Sequence, residues 1–246
     1  MNAITVTDHL DWPPYGTVFP VSRIDLRVGE GEHPFRRAEA AAVAENWQRE
    51  HAANPALYDG EMILQQRLRI GDGEISADGF LTRFSTFLWW RKQAVPGSGY
   101  HLFGLPVPVS SDGAIIAIRM AAHTANGGEV YCAAGSLDRS DIVDGRCDLF
   151  ANMAREVAEE TGLDLGHARA DDNVHAFHLD RRVTVFRLYH FDLTAEEMLE
   201  RIAAHMLVAE EQEIDGGVAI RSGDPAIHAY SPAMRTMLGW YFGRPD

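Results

Sequence analysis

The fold is decided by the stretch Arg155-Glu156-Val157-Ala158-Glu159-Glu160-Thr161-Gly162-Leu163. Successive residues of a helix are about 100° apart, so Glu156, Glu159 and Glu160 share one arc of roughly 100°. Like charges at these spacings destabilise a helix by about 0.2–0.5 kcal/mol per pair. A hard divalent cation such as Mg²⁺, which prefers carboxylate oxygens, would compensate this repulsion. The alternative is a solvated acidic helix face without a ligand.

The residues around these carboxylates predict a helix over residues 149–161. A neighbouring arc can face a core, and it holds Phe150, Met153, Ala154, Val157 and Thr161. The helix is expected to end at Gly162, because glycine readily adopts the left-handed conformation that caps a helix.

The letters REVAEETGL match the second half of the Nudix box, whose form is G-x5-E-x7-R-E-U-x-E-E-x-G-U with U aliphatic. Residues 133–137 resemble the entry to the box, and residues 112–119 resemble the strand that Nudix domains place before it. The resemblance covers roughly residues 100–220. It implies an α/β fold of Nudix type, with an α/β/α sandwich around a mixed sheet. It also implies hydrolysis of a nucleoside diphosphate linked to another moiety, with Mg²⁺ or Mn²⁺.

The resemblance also assigns roles to individual residues. The box carboxylates Glu156, Glu159 and Glu160 are expected to bind metal, and Glu156 is expected to be catalytic as well. Arg155 is expected to orient a box carboxylate by an ion pair rather than to touch substrate. The backbone at Gly135 is expected to join the metal site and to contact substrate.

The chain departs from the family pattern between Gly135 and Arg155, which lie twenty positions apart, six more than the pattern allows. Cys147 stands where the first-half glutamate belongs. That glutamate is usually an orienting partner, and Asp144 or Asp148 could replace it. The inserted loop resembles a less typical branch of the family, part of which acts on UDP-sugars.

Two further segments carry candidate residues. Some Nudix enzymes have another glutamate after the box that serves as metal ligand or general base, and Glu211 and Glu213 are candidates for it. A solvated acidic segment is the alternative interpretation. His123 and Thr124 lie in a loop before the box and are candidates for substrate contacts, although such loop residues are often merely exposed.

Composition limits the partners. The 246 residues carry a formal net charge of −14, which argues against a nucleic-acid polymer because phosphate backbones favour basic surfaces. The chain contains no apolar run of about 18 residues, so we expect no membrane span. Its two cysteines, Cys132 and Cys147, are expected to be free thiols in a reducing compartment, with a disulfide as the weaker alternative. We therefore expect a cytoplasmic protein.

The chain is predicted to consist of an N-terminal α+β extension at residues 1–95 and a Nudix domain at residues 96–246. In the extension we expect a helix at 35–53, a hairpin built on strand 61–70 and turn 71–73, and a further strand at 82–91. In the second part we expect an insertion loop at 138–148 and a helix capped by Thr194 and Glu197.

The expected function is that of a Nudix diphosphohydrolase, a pyrophosphatase whose substrate is a small nucleotide conjugate. The branch resemblance favours a nucleotide-sugar such as a UDP-hexose, with ADP-ribose second. The alternative is a Nudix fold that only senses a nucleotide. Such proteins usually lose the box glutamates, and this chain has all three. A homodimer is compatible with either function.

Overall fold

The computed structural model describes residues 12–93, 99–209 and 212–243. The strands in these ranges are β1 (Phe19–Val21), β2 (Arg23–Gly29), β3 (Glu61–Gly71), β4 (Glu74–Arg83), β5 (His101–Val109), β6 (Ile115–Met120), β7 (Val130–Tyr131), β8 (Ile142–Val143), β9 (Arg146–Cys147), β10 (Arg169–Ala170), β11 (Val174–Leu179), β12 (Arg182–His190) and β13 (Ile214–Ile220). The helices are α1 (Pro34–Ala38), α2 (Ala40–Ala53), α3 (Phe84–Trp90), α4 (Leu149–Thr161), α5 (Ala195–Met206) and α6 (Pro232–Phe242). None of the helices described is long and apolar enough to cross a membrane.

The chain divides into two compact units that each draw on several segments. Of the described residues, the first unit comprises those within 1–103, 136–149 and 176–183, and the second comprises those within 104–135, 150–175 and 184–246. The division predicted from the sequence, at residues 95 and 96, stays a prediction.

The first unit contains a five-stranded mixed sheet in the order β3-β4-β2-β9-β8. β3 and β4 are antiparallel and joined by Asp72 and Gly73, as the sequence predicted. Both turn residues have positive φ, 52° and 75°, which suits a two-residue turn between twisted strands. β2 runs parallel to β4 on its other side. Alternate residues of β4, such as Ile75 and Ala77, are buried, so one face of the sheet packs against the core of this unit.

The predicted strand at 82–91 is wrong. β4 ends at Arg83, and the following residues form α3. The backbone N–H of Ser85 donates to the carboxylate of Asp59 at 2.7 Å, which satisfies one of the free amides at the start of the helix. Leu88 and Trp90 are buried at helical positions. Tertiary contacts therefore override the β-preference of these aromatic residues.

The predicted helix at 35–53 is present but broken at Glu39, which separates α1 from α2. Glu39 has φ −109° and ψ 19°, outside the helical range. Its carboxylate accepts a hydrogen bond from Nε1 of Trp89 at 3.2 Å. The break thus coincides with a contact to α3 that the sequence alone did not reveal.

The insertion is ordered rather than an open loop. It begins with a 3-10 helix capped by Asp138, continues as the hairpin β8–β9, and adds that hairpin to the sheet through β2. Two ion pairs hold it within the first unit, from Arg146 to Asp25 at 2.9 Å and from Arg139 to Glu61 at 2.7 Å. The insertion is therefore an integral part of the five-stranded sheet.

The second unit contains strands in the order β12-β5-β6-β13, with β10 beside β12 and β7 beside β6. On β12, Phe186 packs against Trp240 of α6, and Tyr189 contacts Met153 of α4. These two strand residues are three positions apart, so they point to opposite faces of the sheet. Helices therefore cover both faces, and the expected α/β class with an α/β/α layering is confirmed.

The predicted helix α4 is confirmed at both ends, Leu149 and Thr161. Met153 and Val157 on its apolar arc are completely buried. Gly162 has φ 68° and its N–H bonds the carbonyl of Ala158 at 3.0 Å, as expected of a left-handed C-terminal cap. The ring of His205 on α5 donates to the carbonyl of Glu159 at 2.8 Å, which satisfies a second carbonyl at this end.

The other helix predicted in this unit, α5, is also confirmed. Thr194 and Glu197 form the predicted capping box at the start of α5, with each side chain bonding the other's backbone N–H. α6 begins at Pro232 behind the side-chain cap of Ser231.

Both cysteines are free thiols, as predicted. Cys132 is fully buried beside the sulfur of Met234, and burial raises the pKa of its thiol. Burial, and secondarily the charge of Asp141, raise the pKa of Cys147 to about 12. Neither thiol is activated as a nucleophile, because activation requires a lowered pKa.

The carboxylate of Asp112 joins the ends of three elements in the second unit. Its Oδ1 accepts from the hydroxyl of Ser110 at 2.6 Å and from the N–H of Ala195 at 2.9 Å. Its Oδ2 accepts from the guanidinium of Arg221 at 2.6 Å. These partners hold the pKa of Asp112 below its ordinary value, with the Ser110 hydrogen bond the largest cause. The negative charge of Asp112 therefore stabilises the junction of β5, α5 and β13.

We predict that Asp112→Ala lowers the free energy of unfolding at pH 7, measured by urea denaturation. Because the pKa is lower in the folded state, this stabilisation is present above the unfolded value of about 3.9 and is lost as pH falls through the folded value. The difference between wild type and variant should therefore shrink below about pH 4. Asp192→Ala, at an exposed position, is the control. A difference independent of pH would contradict the prediction.

Candidate functional site

The acidic arc of α4 presents three carboxylates in three different environments. The side chain of Glu156 is 12 % exposed, whereas that of Glu159 is 59 % exposed. Glu160 is partly accessible as a residue, but its Oε2 is buried. The carboxylates of α4 therefore range from largely exposed, at Glu159, to buried, at the Oε2 atom of Glu160.

Glu160 occupies the least favourable of these environments. Burial, followed by the charges of Glu156, Glu213 and Glu159, raises the pKa of its carboxyl well above the usual value, against a lowering contribution from a hydrogen bond with the Ala134 backbone. Its Oε2 has no hydrogen-bond partner among the described residues. A buried carboxylate oxygen without a hydrogen-bond partner lowers the stability of the fold. A bound proton or cation at this oxygen would offset that loss.

The segment after β7 runs directly across the acidic arc. The strand β7 covers only Val130–Tyr131. The chain leaves the sheet there and brings the Ala134 backbone to Glu160. A Cβ added at Gly135 would overlap the carboxylate of Glu156. Gly135 is therefore required for this close approach to Glu156, and its contribution to a metal site or to substrate contact stays a prediction.

Arg155 links two carboxylates of the arc. Its Nη1 lies 2.9 Å from Oε1 of Glu156 and 3.0 Å from Oε2 of Glu159. Its side chain is 27 % exposed, so much of it is withdrawn from solvent. Arg155 therefore forms ion pairs with two box carboxylates, and its role in orienting them for function stays a prediction. Glu156 and Glu159 thus share one positive charge, whereas Glu160 faces mainly negative charge.

Glu213, one of the two predicted acidic residues after the box, is brought to the site. Its carboxylate is close enough to Glu160 to contribute to the raised pKa there, and its backbone carbonyl accepts from the N–H of Ala121. Glu213 is itself exposed. An exposed carboxylate beside a buried one can exchange protons with solvent, which suits a general base. Glu211, the other candidate, lies outside the described residues.

Tyr131 is a neighbour of the site that the sequence did not indicate. Burial raises the pKa of its phenol, and the charges of Glu160, Glu129 and Glu213 raise it further. Its hydroxyl accepts from the amide of Asn126 at 3.5 Å. The phenol therefore stays protonated at the edge of the acidic cluster.

The predicted substrate loop begins beside Glu213 through the Ala121 hydrogen bond. His123 is exposed. The hydroxyl and the N–H of Thr124 both bond the carbonyl of Ala121, at 2.9 and 3.0 Å, so Thr124 shapes the turn. The structure gives Thr124 a local structural role, and substrate contact by either residue stays a prediction.

Asp144 and Asp148, the candidates to replace the missing glutamate, lie in the first unit. Asp144 is exposed at the tip of the β8–β9 hairpin with φ 49°. The N–H of Asp148 bonds the carbonyl of Asp141 at 2.8 Å, directly before α4. Replacement of the orienting glutamate by either residue stays a prediction.

Asn152 was missed by sequence reasoning. It is completely buried one turn before Glu156, and its Nδ2 donates to Oε1 of Glu156 at 3.4 Å. The available signal was its position, because residues four apart on a helix are neighbours. An asparagine on an acidic arc does not by itself reveal that it is buried.

The donor set suits a hard divalent cation. The described ranges contain no three His, Cys, Asp or Glu side chains already gathered as a metal site. The carboxylates of the arc repel one another, and Arg155 draws Glu156 and Glu159 to itself. The buried, unpartnered Oε2 of Glu160 and the raised pKa of that group are nevertheless what a cation would relieve. Oxygen donors of this kind fit Mg²⁺ or Mn²⁺.

Comparison with known proteins gives similar folds at low identity. No protein-family model and no curated protein sequence matches the chain. Solved structures similar to it include a MutT protein from Methanosarcina mazei Go1, with 18 % identity, a TM-score of 0.38 and coverage of 59 % of this chain and 94 % of that one. They also include DR0079 from Deinococcus radiodurans, with 11 % identity, a TM-score of 0.44 and coverage of 74 % and 99 %.

A third similar structure is the Nudix hydrolase RenU from M. smegmatis, with 11 % identity, a TM-score of 0.37 and coverage of 58 % and 82 %. The resemblance of this chain to the Nudix family rests on its own motif at residues 155–163.

We predict that Gly135→Ala weakens Mn²⁺ binding by at least about tenfold, because the new Cβ displaces the Glu156 carboxylate. The measurement is a Mn²⁺ titration followed by electron paramagnetic resonance. Gly239→Ala is the matched control, since a Cβ there enters open space in α6 and should stabilise by about 0.5–1 kcal/mol. Unchanged Mn²⁺ affinity in Gly135→Ala would exclude this position from the site.

Proposed function

We propose that the protein is a metal-dependent hydrolase that cleaves the pyrophosphate bond of a nucleoside diphosphate linked to another moiety. The observation that carries the proposal is the environment of Glu160, a buried carboxylate with an unpartnered oxygen that is surrounded by other carboxylates. A protein keeps such an arrangement at a cost in stability, which is typical of functional sites. The box resemblance around Glu160 supports the same conclusion.

Glu156, Glu159 and Glu160 would hold Mg²⁺ or Mn²⁺ on one side of α4. Such an ion would neutralise charge on the pyrophosphate oxygens and lower the pKa of a bound water. The chain itself contributes fixed positions for these groups. Arg155 fixes Glu156 and Glu159 by ion pairs, and the backbone around Gly135 closes against Glu156. This prearranged geometry avoids reorganisation during the reaction.

Glu213 is the proposed general base. It is exposed, and it lies close enough to Glu160 to influence its pKa. It would therefore accept the proton of the attacking water and release it to solvent. Glu211 is the second candidate for this role. The protonated phenol of Tyr131, at the edge of the acidic cluster, would donate a hydrogen bond to a phosphate oxygen.

The proposed substrate is a small nucleotide conjugate rather than a nucleic-acid polymer, which the net charge of −14 disfavours. The likeness of the inserted sequence to a UDP-sugar branch makes a UDP-hexose the first candidate and ADP-ribose the second. A cytoplasmic location and a homodimeric state accompany the proposal as predictions.

We predict that Glu160→Gln lowers kcat by at least about tenfold while raising thermal stability. Activity falls because a ligand charge is lost. Stability rises because the pKa of Glu160 is raised in the folded state, so its charge at neutral pH is disfavoured there and the amide removes that penalty. Glu159→Gln should lose activity similarly. Glu200→Gln, exposed on α5, is the control. Full activity in Glu160→Gln would refute the assignment.

Turnover of a panel of nucleotide conjugates tests the substrate class. With Mg²⁺ we expect release of mononucleotide from UDP-glucose and from ADP-ribose, and none after addition of a chelator. A kcat/KM for ADP-ribose well above that for UDP-glucose would reverse the order of the two candidates. If no conjugate is hydrolysed but one binds in calorimetry, the protein is a sensor rather than an enzyme.

A further inference from the structure

Asn152 is a buried polar residue on the acidic arc of α4. On a helix it lies about 40° from Glu156, so the two side chains project from the same side one turn apart. Asn152 has no exposed surface, and Glu156 is nearly as withdrawn, with 12 % of its side chain exposed. Burying an amide costs free energy unless it forms hydrogen bonds, and an apolar residue would pack there without that cost. The amide therefore requires an explanation.

The hydrogen bond from Asn152 to Glu156 explains why an amide is buried at this position. Nδ2 of Asn152 lies 3.4 Å from Oε1 of Glu156, the same oxygen that Nη1 of Arg155 approaches at 2.9 Å. The backbone at Gly135 lies against this carboxylate as well. One oxygen of Glu156 is thus approached by two donors of α4, and the carboxylate is confined by the chain beside it.

We propose that Asn152 is a positioning residue that, together with Arg155, fixes the Glu156 carboxylate in the orientation needed to hold a divalent cation. Nη1 of Arg155 also contacts the exposed Glu159 at 3.0 Å, so this donor is divided between two carboxylates. The side chain of Asn152 is completely buried, and its Nδ2 donates to Oε1 of Glu156. The inference rests on the proposed function, since it assigns Glu156 to the metal site.

Groups that orient metal ligands affect metal affinity or activity by about 10–100-fold when they are removed. Asn152→Leu keeps the approximate volume and removes the donor. We expect Mn²⁺ affinity, measured by electron paramagnetic resonance on the free protein, to fall by about tenfold. We expect kcat to fall similarly, with KM little changed, because Asn152 touches a ligand rather than substrate.

Two further variants separate positioning from folding. Asn152→Gln retains an amide donor and should recover most of the Mn²⁺ affinity that Asn152→Leu loses. Thr161→Val removes another buried polar group of α4, whose hydroxyl bonds the carbonyl of Val157. It should lower the melting temperature without changing Mn²⁺ affinity. If Thr161→Val weakened Mn²⁺ binding as much as Asn152→Leu, the role of Asn152 would be structural and the proposal overturned.

The results also distinguish this inference from the proposed function. If wild type binds Mn²⁺ and hydrolyses a conjugate while Asn152→Leu does both equally well, only the role of Asn152 is refuted. If wild type binds no Mn²⁺ and hydrolyses nothing, both proposals are overturned. Should Asn152→Leu fail to fold, the Mn²⁺ affinity of Asn152→Gln decides, because wild-type affinity supports the donor role and affinity reduced tenfold or more contradicts it.

Discussion

Repulsion among carboxylates on one helix is the constraint on which this site depends. Glu156, Glu159 and Glu160 lie on a single arc of α4, and Glu213 approaches from another segment. Water would screen such charges at a surface, but the Oε2 atom of Glu160 is withdrawn from water. Folding alone does not favour this arrangement, because apolar packing could hold α4 without it. The arrangement is explained if a cation or a proton completes it.

The surrounding structure limits what these carboxylates can do. Arg155 holds two of them and leaves the third facing negative charge, while the chain around Gly135 passes too close for any side chain at that position. The hydrogen bond from Asn152 adds a further restraint on Glu156. Charge, close backbone approach and a buried amide thus restrain Glu156, whereas Glu159 remains largely exposed. Metal binding by the arc, as against a solvated acidic face, stays a prediction.

In the inserted segment, charged side chains form ion pairs instead of repelling one another. Asp25 and Glu61 form ion pairs with arginines of the insertion, and the hairpin β8–β9 extends a sheet that begins in the N-terminal segment. Exposed ion pairs contribute little individually, so backbone pairing with β2 is the firmer attachment. The extra residues before α4 therefore complete the five-stranded sheet of the first unit.

The sequence by itself determined the elements whose signals are local. The periodicity and the Gly162 stop defined α4, the capping box defined the start of α5, and Asp72-Gly73 defined the β3–β4 turn. Tertiary structure decided what depends on distant partners. The segment 84–90 became helical against its β-preference through Asp59 and a buried core, and the insertion became strands through β2. The burial of Glu160 and Asn152 belongs to this second group, because spacing places residues on an arc but only packing decides which of them lose water.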